Sequence, residues 1–335
     1  MKISINNACN SKCPYCFAGT MGIEKGSEME PENFKKILDW MVLNNDDFLV
    51  LLGGEPTINP HFEEYLDWIT KYVVNFNWRF LLLTNGVMLD KYITRIPFGT
   101  AMLINVNSPK VLGQLQYEHL KISMKKLFEV GEKCFKDRTE ENPYGDNYVL
   151  GCNLHAEETD YKFFWDLVDL TGCHTVRVSV ASPQNNKYLY DRKSYFELMK
   201  PRFMEFINEA DKRKCKVNLD CSLIPVCYYT GKELFQLMKV TENEIDDLCG
   251  CRGSTFQVLP DMTISCCFGD EDFENAKITM DFNKSYNYYN NLLSERRERQ
   301  IPNNYVNYCE GCSFKEEGKC FAGCFGFKDG IKNDK

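Results

Sequence analysis

Lys2-Ile3-Ser4-Ile5-Asn6-Asn7-Ala8-Cys9-Asn10-Ser11-Lys12-Cys13-Pro14-Tyr15-Cys16 is the stretch that decides the reading of this chain. Its first part, Lys2–Asn6, is short, apolar and bounded by asparagine, which predicts a strand. Its second part sets three cysteines at the spacing Cys9-x3-Cys13-x2-Cys16. In a reducing compartment, cysteines grouped this closely bind metal.

Outward from this stretch, strand-like and helix-like segments alternate. Further strands are expected at Phe48–Leu52, Arg79–Leu83, Ala101–Val106, Tyr148–Leu154 and Thr175–Val180. Helices are expected at Pro31–Asn44, where Phe34, Ile37, Leu38 and Met41 fall at helical spacing, and at Phe62–Val74. Six strands alternating with helices imply a parallel sheet with right-handed crossovers, here a partial (β/α)6 TIM-like barrel. In such folds chemistry collects on the loops that follow the C-terminal strand ends. Three segments fall there: the cysteine triplet after strand one, Gly53-Gly54-Glu55-Pro56 after strand two, and Thr84-Asn85-Gly86 after strand three. Asp137–Asp146 reads as a polar surface loop, and a long helix is expected from Ser194 to Lys214.

Composition narrows the function classes. The 335 residues carry a net charge of −8. An acidic chain repels phosphate backbones, and its short basic group, Arg296, Arg297 and Arg299, reads as a solvated helix face. Nucleic acid is therefore not expected as a partner. No apolar run approaches the roughly 20 residues that cross a bilayer. The N-terminus turns polar too soon for a signal peptide, so a cytoplasmic location is expected. The 17 cysteines are odd in number and lack a secretory context, which argues against a disulfide framework. With only four histidines, any metal site must be thiolate-rich, and soft thiolates select zinc or iron–sulfur clusters.

A fully ligated four-iron cluster takes four cysteines. Three thiolates within eight residues can wrap one cubane and leave one iron open. An open iron can be chelated by the amino and carboxylate groups of S-adenosylmethionine (SAM), with the sulfonium beside the cluster. One electron then breaks the C–S bond and releases a 5′-deoxyadenosyl radical; the protein supplies position and shielding. The competing reading is a zinc knuckle, which usually needs a second cysteine pair nearby, and none follows within about 100 residues.

At this point the chain resembles the radical SAM superfamily. Cys9-Asn10-Ser11-Lys12-Cys13-Pro14-Tyr15-Cys16 matches its CxxxCxxC motif, with aromatic Tyr15 before the last cysteine, and Gly53-Gly54-Glu55-Pro56 matches its GGEP motif. The resemblance implies that Gly53, Gly54, Glu55 and Pro56 serve the SAM amino group. Tyr15, Thr84, Asn107 and Ser108 fall where related enzymes contact SAM. The physical reading agrees, since glycines permit close backbone approach.

The C-terminal cysteines Cys251, Cys267, Cys309, Cys312, Cys320 and Cys324 resemble the SPASM extension of peptide- and protein-modifying radical SAM enzymes. Met262 stands where that family has glycine, which makes Cys267 the matching ligand. The family's CX5C spacing is CX7C here, and no cysteine follows Cys324. The resemblance implies a first auxiliary cluster on Cys251, Cys267 and Cys324, with Cys249 or Cys227 as fourth ligand. A second would use Cys309, Cys312 and Cys320 and lack a fourth cysteine; alternatively the tail folds around a single cluster. A zinc ribbon competes with both. Cys266 reads either as a buried small hydrophobe or as a catalytic thiol that returns hydrogen to a substrate radical. Cys134, Cys152, Cys173, Cys215 and Cys221 read as structural, and His155 as a core or rim residue.

The expected organisation is a barrel core over residues 1–185, a helical connection with a bridging strand over 186–248, and a cysteine-rich auxiliary-cluster domain over 249–335. The resemblance implies a maturase of a ribosomal precursor peptide, making an epimer, a thioether or a C–C crosslink. A flavodoxin- or ferredoxin-type donor would supply electrons. Strand one begins at residue 2, so leader recognition is expected to fall to the barrel mouth, the tail or a separate protein. Two alternatives stand beside this one: dehydrogenation of a protein Ser/Cys residue or small alcohol, and a non-catalytic zinc-bound scaffold.

Overall fold

The computed structural model describes residues 1–16, 27–97, 99–134, 148–183, 187–220, 224–241, 256–266, 277–320 and 323–327. Strands β1 (Lys2–Ser4), β2 (Phe48–Leu52), β3 (Arg79–Thr84), β4 (Ala101–Asn105), β5 (Tyr148–Leu154) and β6 (Thr175–Val180) follow the expected segments closely. Each pairs in parallel with the next, from Lys2↔Val50 across to Leu154↔Val180. A seventh strand, β7 (Lys216–Leu219), adds in parallel beside β6. On the far side of β1, β8 (Gln257–Val258) pairs in parallel, and β9 (Thr263–Ser265) and β10 (Ile278–Thr279) continue antiparallel. The sheet order is β10-β9-β8-β1-β2-β3-β4-β5-β6-β7. The barrel expectation holds as a parallel mixed α/β sheet, and strands from all three expected segments join that one sheet.

The helices are α1 (Pro31–Leu43), α2 (Phe62–Phe76), α3 (Pro109–Leu112), α4 (Gln114–Cys134), α5 (Lys162–Thr171), α6 (Arg192–Lys212), α7 (Gly231–Thr241), α8 (Tyr286–Asn304) and α9 (Ser313–Glu316). Pro31 occupies the first turn of α1, where its missing N–H costs nothing. Phe34, Ile37, Leu38 and Met41 are all fully buried, as their spacing predicts. They meet strand residues such as Ile3, Leu49, Leu51 and Leu82 in one continuous core. Parallel strands buried on both faces read as apolar runs, which is why these segments were recognisable.

The C-terminal segment is packed onto the barrel at two places. Trp40 of α1 donates to the Lys284 carbonyl (3.1 Å) and packs against Phe256, Tyr286 and Tyr289. At the start of α6, buried Arg192 donates to the Asn304 carbonyl (2.8 Å) and side chain (3.1 Å), and its guanidinium lies over the Phe327 ring. Asn304 in turn donates to the Gly323 carbonyl (3.1 Å). Among the described residues no helix is long and apolar enough to cross a membrane.

Candidate active site

The loop after β1 carries Cys9, Cys13 and Cys16, and a turn closed by the Cys16 N–H on the Cys13 carbonyl (3.1 Å) holds the last two together. Burial, and after it the neighbouring Cys16 and Cys9, push the Cys13 thiol up to about 12. Burial also raises Cys9. A metal that binds the Cys9 and Cys13 thiols must displace their protons. Among the described residues no three His, Cys, Asp or Glu side chains already form a closed metal cage.

The GGEP segment is fastened to this loop by backbone. Gly54 N–H donates to the Asn6 carbonyl (2.7 Å) and Glu55 N–H to the Ala8 carbonyl (2.8 Å). A Cβ on Gly54 would stand 2.2 Å from the Ala8 oxygen, and one on Gly53 would stand 2.4 Å from Asn6 Oδ1. These glycines therefore permit contact between two stretches of the chain itself, just ahead of Cys9. Asn6, fully buried, donates from Nδ2 to the Ala8 (3.1 Å) and Glu55 (3.0 Å) carbonyls. Its Oδ1 is buried without a hydrogen-bond partner.

Glu55 is the hub of the next layer. Its carboxylate accepts from Thr57 N–H (3.1 Å), Thr57 Oγ1 (2.6 Å), Thr84 Oγ1 (2.7 Å) and Asn85 N–H (2.6 Å). Burial pushes the Glu55 carboxyl above its ordinary range, and these four donors oppose the rise. Asn85 Nδ2 then donates to Asn10 Oδ1 (2.7 Å) and Ser11 Oγ (3.1 Å), between the cysteines. Glu55 and Thr84 are thus occupied in holding the loops after β1, β2 and β3 in one frame. Pro56 begins a short 3-10 turn and is buried.

A second polar row crosses the mouth at β4–β6. Tyr15 Oη donates to Asn107 Oδ1 (2.8 Å) and accepts from Asn153 Nδ2 (3.4 Å), and Asn153 Oδ1 accepts from Ser179. Ser108 Oγ donates to Glu158 (2.7 Å) instead of facing open space. The Tyr15 ring lies 5.0 Å from His155, whose Nδ1 meets Glu157 at 3.1 Å. Burial holds the His155 ring below its usual range, against the pull of Glu157. Pro14, Tyr15, His155, Glu157, Ser182 and Tyr195 line a shallow pocket beside the cysteine loop. Sequence reading took Asn85 only as part of the Thr84-Asn85-Gly86 segment and passed over Asn6, Asn10, Asn153 and Glu158; the signal available was their position at or just past strand ends.

Of the tail cysteines, Cys249, Cys251 and Cys267 lie outside the described residues. Cys309 and Cys312 flank a turn with Gly311 at φ 69°, and Cys320 folds back through its N–H on the Phe314 carbonyl (3.1 Å). The Cys324 sulfur lies 3.9 Å from Ser182 Oγ. Cys266 is placed against its proposed role. Ser265 is level with Gln257, and Gln257 with Lys2, so Cys266 continues past the N-terminal end of β1. The cysteine triplet lies beyond the opposite end of that strand, where a hydrogen donor would have to be. The register thus argues for the bland reading of Cys266, a partly buried side chain packed on the core.

Residues 3–159 match the Radical SAM superfamily. This part of the chain is similar to a radical SAM domain, and members of that family hold a four-iron cluster and SAM. Three thiolates in one loop, with a glycine-dependent backbone frame behind them, are a donor set that fits that group. The chain is 24% identical over 175 residues to a GTP 3′,8-cyclase of Mannheimia succiniciproducens, covering 49% of each chain. It spans about half the length of the curated relatives it matches. In fold it resembles Streptococcus suis SuiB bound to S-adenosylmethionine, with a TM-score of 0.55 and 15% identity, covering 97% of this chain and 72% of that one. The likeness to SuiB bound to its precursor peptide SuiA has a TM-score of 0.51 and 14% identity, covering 86% of this chain and 63% of that one.

Proposed function

We propose that this protein is a radical SAM enzyme that takes hydrogen from a peptide substrate, with Cys9, Cys13 and Cys16 as its cluster ligands and an auxiliary iron–sulfur cluster in its tail. When bound, the cluster and SAM supply a 5′-deoxyadenosyl radical able to abstract hydrogen from unactivated carbon, one electron being delivered by a flavodoxin- or ferredoxin-type protein. The chain's own part is positional. Asn6, Gly53, Gly54 and Glu55 hold the cysteine loop against the strand ends, and Asn85 fixes its middle. Tyr15, Asn107 and Asn153 form a partly buried polar wall on which a SAM adenosyl group can be seated. Neutral His155 and the Glu157 carboxylate border the pocket where a substrate backbone can hydrogen-bond.

The observation that carries the peptide assignment is the extent of the fold likeness. It covers 97% of this chain for SuiB, tail included, whereas the cyclase match covers 49%. A second reading, a nucleotide substrate as the cyclase's name indicates, rests on that half alone. The test is hydrogen transfer. Reconstituted protein, reductant and SAM are incubated with GTP or with deuterated short peptides encoded beside its gene. Deuterium appearing in 5′-deoxyadenosine from a peptide supports the assignment. Cyclisation of GTP at a comparable rate overturns it.

A further inference from the structure

On the β4–β7 half of the sheet, the face that meets Tyr15 is polar at two successive levels. Asn105 of β4, Gly151 of β5, Arg177 of β6 and Asn218 of β7 stand level with one another in register. Two residues further along each strand come Asn107, Asn153, Ser179 and Asp220, where Asp220 N–H still donates to the Val178 carbonyl (2.9 Å). Side chains two apart share a face of a strand, so both levels point to the same side. The contacts agree. Tyr15 reaches Asn107 and Asn153, Ser179 donates to Asn153, and Asn105 Oδ1 lies 2.5 Å from the place a Cβ would take on Gly151. The opposite face of β5 and β6, with Leu150, Leu154, Val176, Val178 and Val180, belongs to the buried core. The polarity is local, because the residues of β2 and β3 in the same orientation, Val50, Leu81 and Leu83, are apolar.

The level nearer the cysteine loop is largely satisfied from within, through Tyr15, Asn107, Asn153 and Ser179. The level beneath it, about 7 Å further from the loop at two residues of strand rise, is open. Arg177 forms an ion pair with Asp220 of the upper level, and their side chains are 27% and 24% exposed. Asn218 is exposed and Asn105 half-buried. With no side chain at Gly151, Asn105 extends over β5. A guanidinium presents five N–H donors in a fixed fork, so Arg177 keeps donors to offer beyond Asp220.

Charge decides what this surface can take. Its one guanidinium and one carboxylate cancel, and the rest is amide and hydroxyl. A triphosphate needs uncompensated cations, and a carboxylate beside the only guanidinium of these two levels repels it. A peptide main chain is neutral and offers both carbonyl acceptors and N–H donors, which a guanidinium, a carboxylate and amides side by side can match.

Resting on the peptide-substrate reading, we infer that Arg177 and Asp220 are its specificity pair. Arg177 docks main-chain carbonyls of the substrate, and Asp220 cancels its charge so that phosphorylated compounds are not held.

The test measures GTP binding to anoxically reconstituted holoprotein by equilibrium dialysis. Wild type should hold GTP only weakly. Asp220→Asn leaves Arg177 uncompensated and should bind GTP about 10-fold more tightly. Arg177→Gln/Asp220→Asn restores neutrality and should return to the wild-type value. Asn218→Lys, at an exposed position level with Arg177, should gain GTP affinity in the same way, and carries the test should Asp220→Asn lose SAM binding. Damage to the fold lowers affinities, so a gain lies outside the reach of a merely structural role. For the peptide that passes deuterium to 5′-deoxyadenosine, Arg177→Gln should raise KM about 10-fold with SAM affinity unchanged. Asp220→Asn and Asn218→Lys proteins that bind SAM normally and GTP no better than wild type overturn the assignment, as does an Arg177→Gln protein with the wild-type peptide KM. Wild type that cyclises GTP, or takes deuterium from no peptide, overturns the peptide reading itself, and the specificity pair with it.

Discussion

Replacing Gly54 by alanine is the sharpest perturbation of the site, because the new methyl group meets only backbone. Its Cβ would stand 2.2 Å from the Ala8 oxygen, 2.7 Å from the Ala8 carbonyl carbon and 2.9 Å from the Asn7 oxygen. No rotamer change can relieve these contacts. The two loops must part by about 1 Å to restore ordinary carbon–oxygen separation. That movement stretches the Gly54–Asn6 and Glu55–Ala8 hydrogen bonds, now 2.7 and 2.8 Å, past useful length. Each bond contributes about 1 kcal/mol net, and forced overpacking costs about 1–3 kcal/mol, so about 3–5 kcal/mol is expected in all. The midpoint of thermal unfolding should fall on the order of 5 °C. Displacing the cysteine loop by about 1 Å should slow SAM cleavage by about 10²-fold. Gly231→Ala is the control, since nothing lies within 4 Å of its would-be Cβ. The assay is anoxic differential scanning fluorimetry with 5′-deoxyadenosine measured by mass spectrometry. A Gly54→Ala protein that melts and cleaves SAM like wild type would refute the reasoning.

Four further outcomes follow from the same structure. Tyr15→Phe removes the hydroxyl that joins Asn107 to Asn153; stability should drop by about 1 kcal/mol in denaturant titration, and SAM affinity should weaken in equilibrium dialysis. Lys214, exposed at φ 57° just past α6, sits where glycine is favoured; Lys214→Gly should stabilise by about 0.5–1 kcal/mol, read by the same titration. His155 is held below its usual 6.5 by burial, so the folded value lies under the unfolded one; stability is whole above about pH 6.5 and lost as pH falls below it, and His155→Gln should flatten that part of a melting-temperature profile. Arg192→Leu leaves the buried Asn304 carbonyl and amide without the guanidinium; a loss of about 2–4 kcal/mol and faster proteolysis of the C-terminal segment are expected.

The barrel was legible because buried parallel strands appear as apolar runs between turn residues; Phe48–Leu52, Tyr148–Leu154 and Thr175–Val180 match to the residue. β7 was harder, since Lys216–Leu219 alternates exposed and buried residues over only four positions. β8, β9 and β10 are two or three residues long and depend on successive pairing outward from β1, which no local pattern reveals. Met262 is instructive: it replaces the glycine of the resembling motif, and it adopts φ 63°, the left-handed conformation that glycine would take without strain. The metal-binding loop and the GGEP segment were readable from residue type and spacing. The asparagine frame was not, because Asn6, Asn85 and Asn153 act through partners as distant in sequence as Glu55, Asn10 and Tyr15. The same long-range closure places Cys266 at the wrong end of the sheet for hydrogen donation.

The most direct measurement is electron paramagnetic resonance of the anoxically reconstituted, dithionite-reduced protein before and after SAM is added, followed by product analysis. A cluster held by Cys9, Cys13 and Cys16 should change its signal on SAM binding, then yield 5′-deoxyadenosine and methionine in equal amounts, and Cys13→Ala should abolish both. Protein that carries zinc and no iron, or a Cys13→Ala variant that turns over like wild type, would contradict the assignment.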